Sequence, residues 1–256
     1  MIVASFNIRY DESKDGIHSL ANRKEQISEV LHDNAPDVIG FQEVEPATRA
    51  WLQDTLDSYI FVGSGRNKML MDEGNPIAFK KSRFNLLEMG SFWLSSTPYR
   101  PGSRFLFQSI CPRICNYVLL HDLESLNTFY VFNTHLDHVS QSARLNGIKQ
   151  IIKKINARKL YPDAPYIILG DFNAFPESQE IKYLTEKLEL SDLTAGIENT
   201  FHNFGKYTDG HKIDYIFASG DIESQEVGIW TSSIDNLYLS DHHLIYTKIV
   251  TRGDKL

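Results

Sequence analysis

The sequence is poor in cysteine and has no long apolar segment. Cys111 and Cys115 are its only cysteines, which excludes the disulfide framework of a small secreted domain. They could pair, but thiols in a chain without a leader are more often reduced. No run approaches the ~18 apolar residues of a membrane span, and the opening residues MIVASFNIRY lack the features of a signal peptide. We therefore expect a cytoplasmic protein that has no membrane partner.

Positive charge is also scarce, because 33 acidic residues outweigh 26 Lys and Arg residues and give a net charge of −7. Affinity for a long duplex depends on many cationic contacts to phosphates, so an extended duplex-binding surface is disfavoured. An acidic protein that handles phosphates would most simply do so through a bound cation. No linker or single-sign charged run divides the chain. We expect a monomer with one domain over residues 1–256 and no obligate protein partner.

Apolar patterning predicts many strands and few helices. Apolar runs bounded by turn residues predict strands at Ile2–Ile8, Asp37–Phe41, Tyr59–Val62, Pro76–Lys80, Phe84–Leu94, Cys115–Asp122, Thr128–Asn133, Tyr166–Leu169, Lys212–Ala218 and His243–Val250. Helical periodicity predicts helices at Asn22–His32, Pro46–Leu56, Ala143–Ala157 and Ser178–Leu188. This balance favours an α/β fold in which two packed sheets carry helices on their outer faces.

Acid, amide and imidazole groups stand at or near the ends of these predicted strands. For example, the apolar run YIIL leads directly into Gly-Asp-Phe-Asn, which delivers a carboxylate and an amide to the end of a buried strand. The full set is Asn7, Glu43, His135, Asp171, Asn173, Asp214, Asp241 and His242. If the fold gathers these ends, the side chains form one site.

The residue types in this set indicate metal-assisted hydrolysis of a phosphoester. Carboxylates and amides are hard oxygen donors that suit Mg²⁺ or Mn²⁺. An imidazole can contact a phosphoryl oxygen, and Asp214 is the natural carboxylate to orient His242. Asp171 could accept a proton from water and aim the resulting hydroxide at phosphorus.

Each of these residues also has a structural interpretation. Asp and Asn after a strand often form a turn, so the GDFN sequence alone is weak evidence for a site. We assign Asp137 or Ser140 to capping the helix that includes Ala143. His138 and His243 are interpreted as structural or surface residues. The functional interpretation depends on the coincidence of the whole set.

Six motifs, SFNIR, DVIGFQEV, FNTHLDH, ILGDFNA, KIDYIF and LSDHH, resemble in sequence and order those of the endonuclease/exonuclease/phosphatase superfamily, the deoxyribonuclease-I-like fold. The resemblance implies a four-layer α/β sandwich with two packed, mainly antiparallel sheets, and a divalent-metal phosphoesterase activity. It implies metal-site roles for Glu43, Asn7 and Asp241, and catalytic roles for the remaining residues, listed as Asp171, Asn173, His242, Asp214 and His135. His135 also argues against an abasic-site endonuclease.

The segments FWLSSTPYRPGS, NTHLDHVSQSARLNG and NTFHNF resemble a bacterial branch similar to the deadenylase and nocturnin group. Arg113 fits a phosphate-facing arginine, and Arg9 is a second candidate. Aromatic and basic residues interleave from Phe92 to Phe107, so Trp93 and Arg104 are candidates for a wall on which a base stacks while arginine holds phosphate.

The predicted substrate is a short single-stranded nucleic acid or a small phosphorylated metabolite. Three other interpretations remain open. The first is a duplex DNA endonuclease or exonuclease. The second is a zinc hydrolase that uses the histidines His135, His138, His242 and His243, although the metal-type residues are mostly Asp, Glu and Asn. The third is a non-catalytic binding module on the same scaffold.

Overall fold

Apolar strands form two six-stranded sheets in the computed structural model, which describes residues 1–220, 222–231 and 237–251. The first sheet contains β1 (Ile2–Asn7), β2 (Val38–Gln42), β3 (Tyr59–Val62), β4 (Ile77–Lys80), β11 (Ile222–Trp230) and β12 (Leu244–Thr251), in the order β11-β12-β1-β2-β4-β3. The second contains β5 (Phe84–Trp93), β6 (Ile114–Asp122), β7 (Thr128–His135), β8 (Tyr166–Asp171), β9 (Ser191–Asp192) and β10 (Asp214–Ala218), in the order β5-β6-β7-β8-β10-β9.

Helices cover the outer face of each sheet. The helices are α1 (Leu20–Asn34), α2 (Pro46–Thr55), α3 (Gln141–Asn156) and α4 (Gln179–Leu188), and a 3₁₀ segment precedes α1 at Ser13–His18. One apolar cluster joins α1 and α2 to the first sheet, a second lies between the sheets, and a third joins α3 and α4 to the second sheet. Among the described residues, no helix combines the length and the apolar character needed to span a membrane.

The predicted four-layer α/β sandwich is confirmed by this layering. The prediction of mainly antiparallel sheets is also confirmed, because only β1–β2 and β7–β8 run parallel among the paired strands that the structure describes. A parallel pair needs a crossover connection, and α1 and α3 supply it. Both parallel pairs therefore bring their carboxyl ends, with the polar residues that follow them, to one edge of the sandwich.

Helix α3 shows how local sequence signals produce these elements. Its buried face, at Ala143, Gly147, Ile148, Ile151 and Ile155, follows the helical period and packs against the second sheet. The helix begins after Ser140, whose hydroxyl accepts a hydrogen bond from the Ala143 N–H at 3.3 Å. The predicted cap at Ser140 is therefore confirmed.

Two strands were not predicted, and two extend by two residues past their predicted ends. Strand β11 is a mostly exposed edge strand of sequence IESQEVGIW, so it lacks an apolar alternation, and β9 has only two residues. Strands β7 and β8 extend to His135 and Asp171. The polar residues at the strand ends interrupt the apolar pattern, so the sequence does not reveal this extension. Because of the extension, the side chains of His135 and Asp171 lie on the sheet itself.

Candidate active site

Three predicted site residues stand side by side across the second sheet. His135 of β7 pairs with Asp171 of β8 in the parallel register, and Asp171 pairs with Asp214 of β10 in the antiparallel register. All three are at most 5% exposed. The register of three adjacent strands therefore aligns one imidazole and two carboxylates in a single row.

Gly170 lets the row form. Its φ is +135°, and a Cβ built on it would come within 1.9 Å of the Thr134 carbonyl oxygen. Any side chain at this position would push β8 away from β7. The glycine in the sequence ILGDFNA thus has a packing reason, which is to bring Asp171 level with His135.

The residues after Asp171 form the turn and the site at the same time. Asn173 has φ of 47°, in the left-handed region that Asn tolerates. Its N–H donates to Asp171 Oδ1 at 2.8 Å, and its side-chain amide donates to the Leu136 carbonyl at 3.1 Å. The turn and site interpretations of GDFN are therefore compatible, because the turn holds the carboxylate in place.

Asn7 connects the two sheets at this edge. Its side-chain Nδ2 donates to Glu43 Oε1 at 3.2 Å and to Asp171 Oδ2 at 3.1 Å. Its Oδ1 accepts the Arg9 N–H at 3.1 Å. In this arrangement Asn7 presents donors to the site, whereas the sequence predicts an oxygen ligand for metal.

Glu43 stands in the left-handed backbone region, with φ of 60°, where a non-glycine residue carries strain. Its Oε2 accepts the Tyr10 N–H at 3.1 Å, and its Oε1 faces Asn7. Strained backbone that is held by surrounding contacts is frequent at functional sites. In this conformation the Glu43 carboxylate meets Asn7, whose side-chain amide also contacts Asp171 of the second sheet.

Asp241 and His242 reach the same edge from the segment before β12. The Ser240 hydroxyl is within hydrogen-bond distance of Asp241 Oδ1, at 3.1 Å, and of the Asn7 carbonyl, at 2.7 Å. His242 Nδ1 lies 2.8 Å from Asp214 Oδ2, and His242 Nε2 lies 3.8 Å from Asp171 Oδ2. The predicted His242–Asp214 contact is thus present, and it turns Nε2 toward Asp171.

Burial and neighbouring charges separate the pKa values of these groups. Burial lowers the pKa of His242, but the Asp214 carboxylate more than compensates and raises it to about 10. Burial and Asp214 raise the pKa of Asp171 to about 7, while burial and Arg113 hold the pKa of His135 well below its usual range. At neutral pH the site therefore holds an imidazolium at His242, a neutral imidazole at His135 and a carboxyl group at Asp171 that is poised to exchange a proton.

A pocket of about 440 Å³ opens over this row. Its lining comprises Arg9, Tyr10, Glu43, Arg66, Glu73, Cys111, Arg113, His135, His138, Asp171, Asn173, Phe201, Ile213, Asp241 and His242. Asn7 and Asp214 support the lining from behind. The residues Tyr10, Arg66, Glu73 and Phe201 were not predicted as site residues. Polar residues in a loop have the pattern of solvated residues, and single aromatic residues have the pattern of core residues.

Both predicted phosphate arginines line the pocket. Arg113 is 5% exposed and donates from Nη2 to His138 Nδ1 at 2.9 Å, while its buried Nε has no hydrogen-bond partner among the described residues. Burial lowers the pKa of Arg113, since its charge is poorly compensated. Arg9 is bidentate to Asp15 at 3.0 and 3.2 Å. Arg113 is therefore the more available donor for an anion.

The predicted stacking wall at Trp93 and Arg104 is wrong, since neither residue lines the pocket. The Trp93 ring is 5% exposed, and its indole N–H donates to the Arg66 carbonyl at 2.5 Å. Arg104 is exposed and donates to the Ser109 carbonyl at 2.7 Å. A base cannot stack on a buried ring, because strand β5 turns this side chain into the core.

The two remaining histidines differ in position. His138 lies in the pocket wall and accepts from Arg113, so it is closer to the site than the sequence predicts. His243 packs on the His202 ring, with ring centroids 4.3 Å apart, which matches its structural interpretation. The histidines considered for zinc do not form a common ligand group among the described residues.

Hard oxygen donors dominate the positions where a metal ion would bind. Glu43, Asp171 and Asp241 all line the pocket, and carboxylates suit Mg²⁺ or Mn²⁺. Potential ligand atoms of Asp171, Asp214 and His242 also lie within 4.8 Å of one another. The 2.8 Å contact between His242 Nδ1 and Asp214 Oδ2 is better explained by a hydrogen bond than by a shared metal ion. The oxygen donors that fit a divalent cation are therefore those on the Glu43 side of the pocket.

Comparison with known proteins places this geometry in context. An endonuclease/exonuclease/phosphatase from Bacteroides vulgatus is 28% identical, with a TM-score of 0.91 and 98% of both chains covered. A mannosyl-6-phosphatase from Bacteroides thetaiotaomicron is 26% identical, with a TM-score of 0.89, and covers 98% of this chain and 99% of its own. Both structures share the fold over nearly the whole length.

A curated relative, the probable CCR4-Not complex 3'-5'-exoribonuclease subunit Ccr4 of Vairimorpha ceranae (strain BRL01), is 26% identical over 84% of this chain. The match covers 52% of that protein, so this chain spans about half the length of that relative. The family model described as Endonuclease/Exonuclease/phosphatase family matches residues 4–242. This chain therefore belongs to the endonuclease/exonuclease/phosphatase family, whose members are hydrolases that act on phosphoester bonds.

Proposed function

We propose that this protein is a Mg²⁺- or Mn²⁺-dependent phosphoesterase that hydrolyses a small phosphorylated metabolite or a short single-stranded nucleic acid. The observation that carries the proposal is the buried row of His135, Asp171 and Asp214 beneath a polar pocket, with His242 beside it. It combines a proton acceptor, a proton donor and a place for an anion. These are the components of in-line hydrolysis of a phosphoester.

Asp171 is the proposed general base. Its raised pKa suits the acceptance of a proton from water near neutral pH, since a base is most effective when its pKa lies near the working pH. Asn7 and the Asn173 N–H hold its two oxygens in position. The carboxylate therefore has little freedom to turn away from a water molecule that it activates.

His242 is the proposed partner of the phosphoryl group. Asp214 holds its Nδ1 and keeps it protonated, so Nε2 can donate to a phosphoryl oxygen. The neutral His135 and the cationic Arg113 line the same pocket and supply further contacts. A divalent cation bound on the Glu43 side would neutralise the negative charge that develops on the phosphate.

The dimensions of the pocket favour a small substrate. A volume of about 440 Å³ lies within the ~300–1,000 Å³ of ordinary small-molecule sites. The similar mannosyl-6-phosphatase supports a phosphomonoester, and the similar exoribonuclease subunit supports a short strand. The net charge of −7 gives little support to a duplex nuclease.

A substrate comparison tests this proposal. We expect the metal-supplemented protein to show higher kcat/KM on small phosphoesters or a short single strand than on a nicked or abasic duplex. We also expect kcat/KM to depend weakly on salt between about 50 and 200 mM, because few phosphates are contacted, whereas 6–10 contacts would cost ~10³–10⁵-fold over that range. A preference for duplex with a steep salt slope would restore the duplex nuclease.

Glu43→Gln tests the proposed cation site. We expect Mn²⁺ affinity, measured by isothermal titration calorimetry, to fall by more than the ~10–100-fold that loss of an outer hydrogen-bond partner causes. Glu45→Gln is the matched control, because Glu45 lies two residues away but does not line the pocket. Equal Mn²⁺ affinity in the two variants would show that the ion binds elsewhere.

A further inference from the structure

The pocket wall contains a charged pair that the proposed hydrolysis does not use. Arg66 and Glu73 lie on the loop between β3 and β4, and Arg66 Nη2 is 2.5 Å from Glu73 Oε1. Both residues line the pocket, together with Cys111, Arg113 and His138. The Arg66 side chain is 10% exposed and the Glu73 side chain 16%. Two charged groups are thus kept mostly out of water in the wall of a polar pocket.

The loop holds this pair rigidly. The Arg66 N–H donates to the Glu73 carbonyl at 3.0 Å, and the Arg66 carbonyl accepts the Trp93 indole N–H. Gly74, next to Glu73, exchanges two backbone hydrogen bonds with Val44, next to Glu43, at 2.9 and 3.1 Å. The pair is therefore fixed relative to Glu43, and groups held in this way bind without a large ordering cost.

The charges of the wall restrict what it can bind. Glu73 already occupies the Arg66 guanidinium, so a second anion on the substrate would have to compete with that carboxylate, and a cation would be repelled by Arg66 and Arg113. An aliphatic group would displace water from the hydrogen-bonding positions that Arg66 and Glu73 do not use on each other, which is costly. The ligand group that remains is neutral and offers hydrogen-bond donors and acceptors together. Its donors can bond the Glu73 carboxylate, and its acceptors can bond the Arg66 guanidinium.

Two common groups meet that description, vicinal hydroxyls and the edge of a nucleobase. A base also needs an apolar face on which to stack. The Phe and Tyr side chains that line the pocket are Phe201, which packs on His242 with ring centroids 4.9 Å apart, and Tyr10, whose ring centroid lies 4.4 Å from the Arg9 guanidinium. One ring packs on His242 and the other on Arg9, so the wall around Arg66 and Glu73 favours hydroxyls.

We infer that Arg66 and Glu73 form a subsite for a polyhydroxylated leaving group, so that the substrate is the phosphate ester of a sugar or another polyol. This inference rests on the proposed phosphoesterase function and narrows its substrate class. The phosphate lies against His242, His135 and Arg113. Glu73 accepts hydrogen bonds from hydroxyl groups of the leaving group, and Arg66 donates to them.

The test compares esters that share a shape and differ in hydroxyl groups. The hydroxylated esters are glucose, mannose and galactose 6-phosphate, the hydroxyl-free ester is cyclohexylmethyl phosphate, and adenosine 5′-monophosphate represents the nucleobase alternative. We expect kcat/KM on the best hexose phosphate to exceed that on cyclohexylmethyl phosphate by ~10²-fold or more, since a site built for hydroxyl groups rejects analogues that lack them. Preference for the nucleotide over every hexose phosphate overturns the inference.

Glu73→Gln and Asp72→Asn form a matched pair of variants. Both residues contact Arg66, but the Asp72 carboxylate is 39% exposed, 3.4 Å from Arg66, and outside this pocket. We expect Glu73→Gln to reduce the preference for the hexose phosphate by ~10–100-fold, through the loss of hydrogen bonds to a charged acceptor. Asp72→Asn should keep that preference. If both variants reduce it equally, the pair only stabilises the loop and the inference is wrong.

Cys111 provides a readout that does not depend on turnover. It lines the pocket and is half-buried, whereas Cys115 is fully buried in β6. We expect mannose 6-phosphate or another hexose phosphate to slow iodoacetamide alkylation of Cys111 more than cyclohexylmethyl phosphate does, and Glu73→Gln to remove this difference. Equal hydrolysis of both esters, with equal protection, overturns the subsite but leaves the phosphoesterase intact. No hydrolysis of any of these monoesters also overturns the subsite, and only the further absence of hydrolysis of a short single strand defeats the proposed function itself.

Discussion

Asp171→Asn should abolish most of the turnover and make the protein more stable. Replacement of a positioned general base is expected to lower kcat by ~10²–10⁴-fold. The buried carboxylate is costly to ionise in the folded state, as its raised pKa shows. The amide is neutral and nearly isosteric, and its oxygen can still accept the Asn173 N–H, so it removes that cost at the loss of the hydrogen bond from Asn7. We expect a gain on the order of 1 kcal/mol above pH 7, or ~2–4 °C in Tm for a chain of this length.

The pH dependence of this gain has a definite sign. The pKa of Asp171 is raised from 3.8 to about 7 by burial and by Asp214. Between these values the unfolded chain has lost the proton and the folded protein still binds it, so the carboxyl group costs more stability as pH rises. The advantage of Asp171→Asn should therefore grow from about pH 4 to about pH 7 and then level off.

Thermal melts of metal-free protein across this pH range, followed by circular dichroism, provide the measurement. Asp33→Asn is a suitable control, because Asp33 is exposed on α1, which covers the outer face of the first sheet, and it does not line the pocket. The control should change neither turnover nor the pH profile of Tm. An Asp171→Asn variant that turns over normally, or that melts below wild type at pH 8, would contradict the assignment.

His242→Ala should cost both turnover and stability. Removal of one member of a buried ion pair leaves the Asp214 carboxylate without its partner, and such changes typically cost ~3–5 kcal/mol. Asp214 is 1% exposed, and its Oδ1 already lacks a hydrogen-bond partner among the described residues. The double variant with Asp214→Asn should regain much of the lost stability, although not the turnover.

The pH dependence of this effect runs the other way from that of Asp171. The pKa of His242 is raised from 6.5 to about 10, chiefly by Asp214 acting against burial. The stabilisation is therefore fully present below pH 6.5 and is lost as pH rises through about 10. The difference in unfolding free energy between wild type and His242→Ala should shrink above that pH, whereas exposed His32→Ala should show no such trend.

A double-variant cycle separates pairing from independent action. If Asp214 acts through His242, then Asp214→Asn lowers kcat much less in the His242→Ala background than in wild type. Equal losses in the two backgrounds would falsify the pairing. Urea unfolding of the same four proteins at pH 7 gives the stability cycle in parallel.

The sequence predicts the layer order and the polar residues at the strand ends because both depend on local patterns. An apolar run followed by an acid or amide marks a strand end, as at Asp171, and parallel strands bring such ends to one edge. The register that aligns His135, Asp171 and Asp214 is not visible in the sequence. It depends on Gly170, whose effect is apparent only when β7 lies beside it.

The residues that were missed lie where local patterns carry no information. Arg66 and Glu73 occupy a polar loop, and their exclusion from water results from tertiary packing against Trp93 and Val44. Trp93 is the opposite case, because here the local pattern suggests a function. An aromatic residue among arginines is typical of a nucleic-acid-binding surface. Trp93 is buried because its side chain points inward from β5, and the sequence alone does not determine that direction.

The position of β12 has a consequence for how the active molecule forms. This strand inserts between β1 and β11, and its pairing of Lys248 with Ile2 joins residues almost a full chain length apart. Contacts of this kind close slowly, because the intervening loop entropy must be overcome first. Asp241 and His242 directly precede β12, so the proposed reaction centre remains incomplete until that insertion occurs. At a synthesis rate of ~5–20 residues per second, several seconds separate the synthesis of Asp171 from that of His242. During this time the nascent chain carries Glu43, His135 and Asp171 without the imidazole that completes the proposed site.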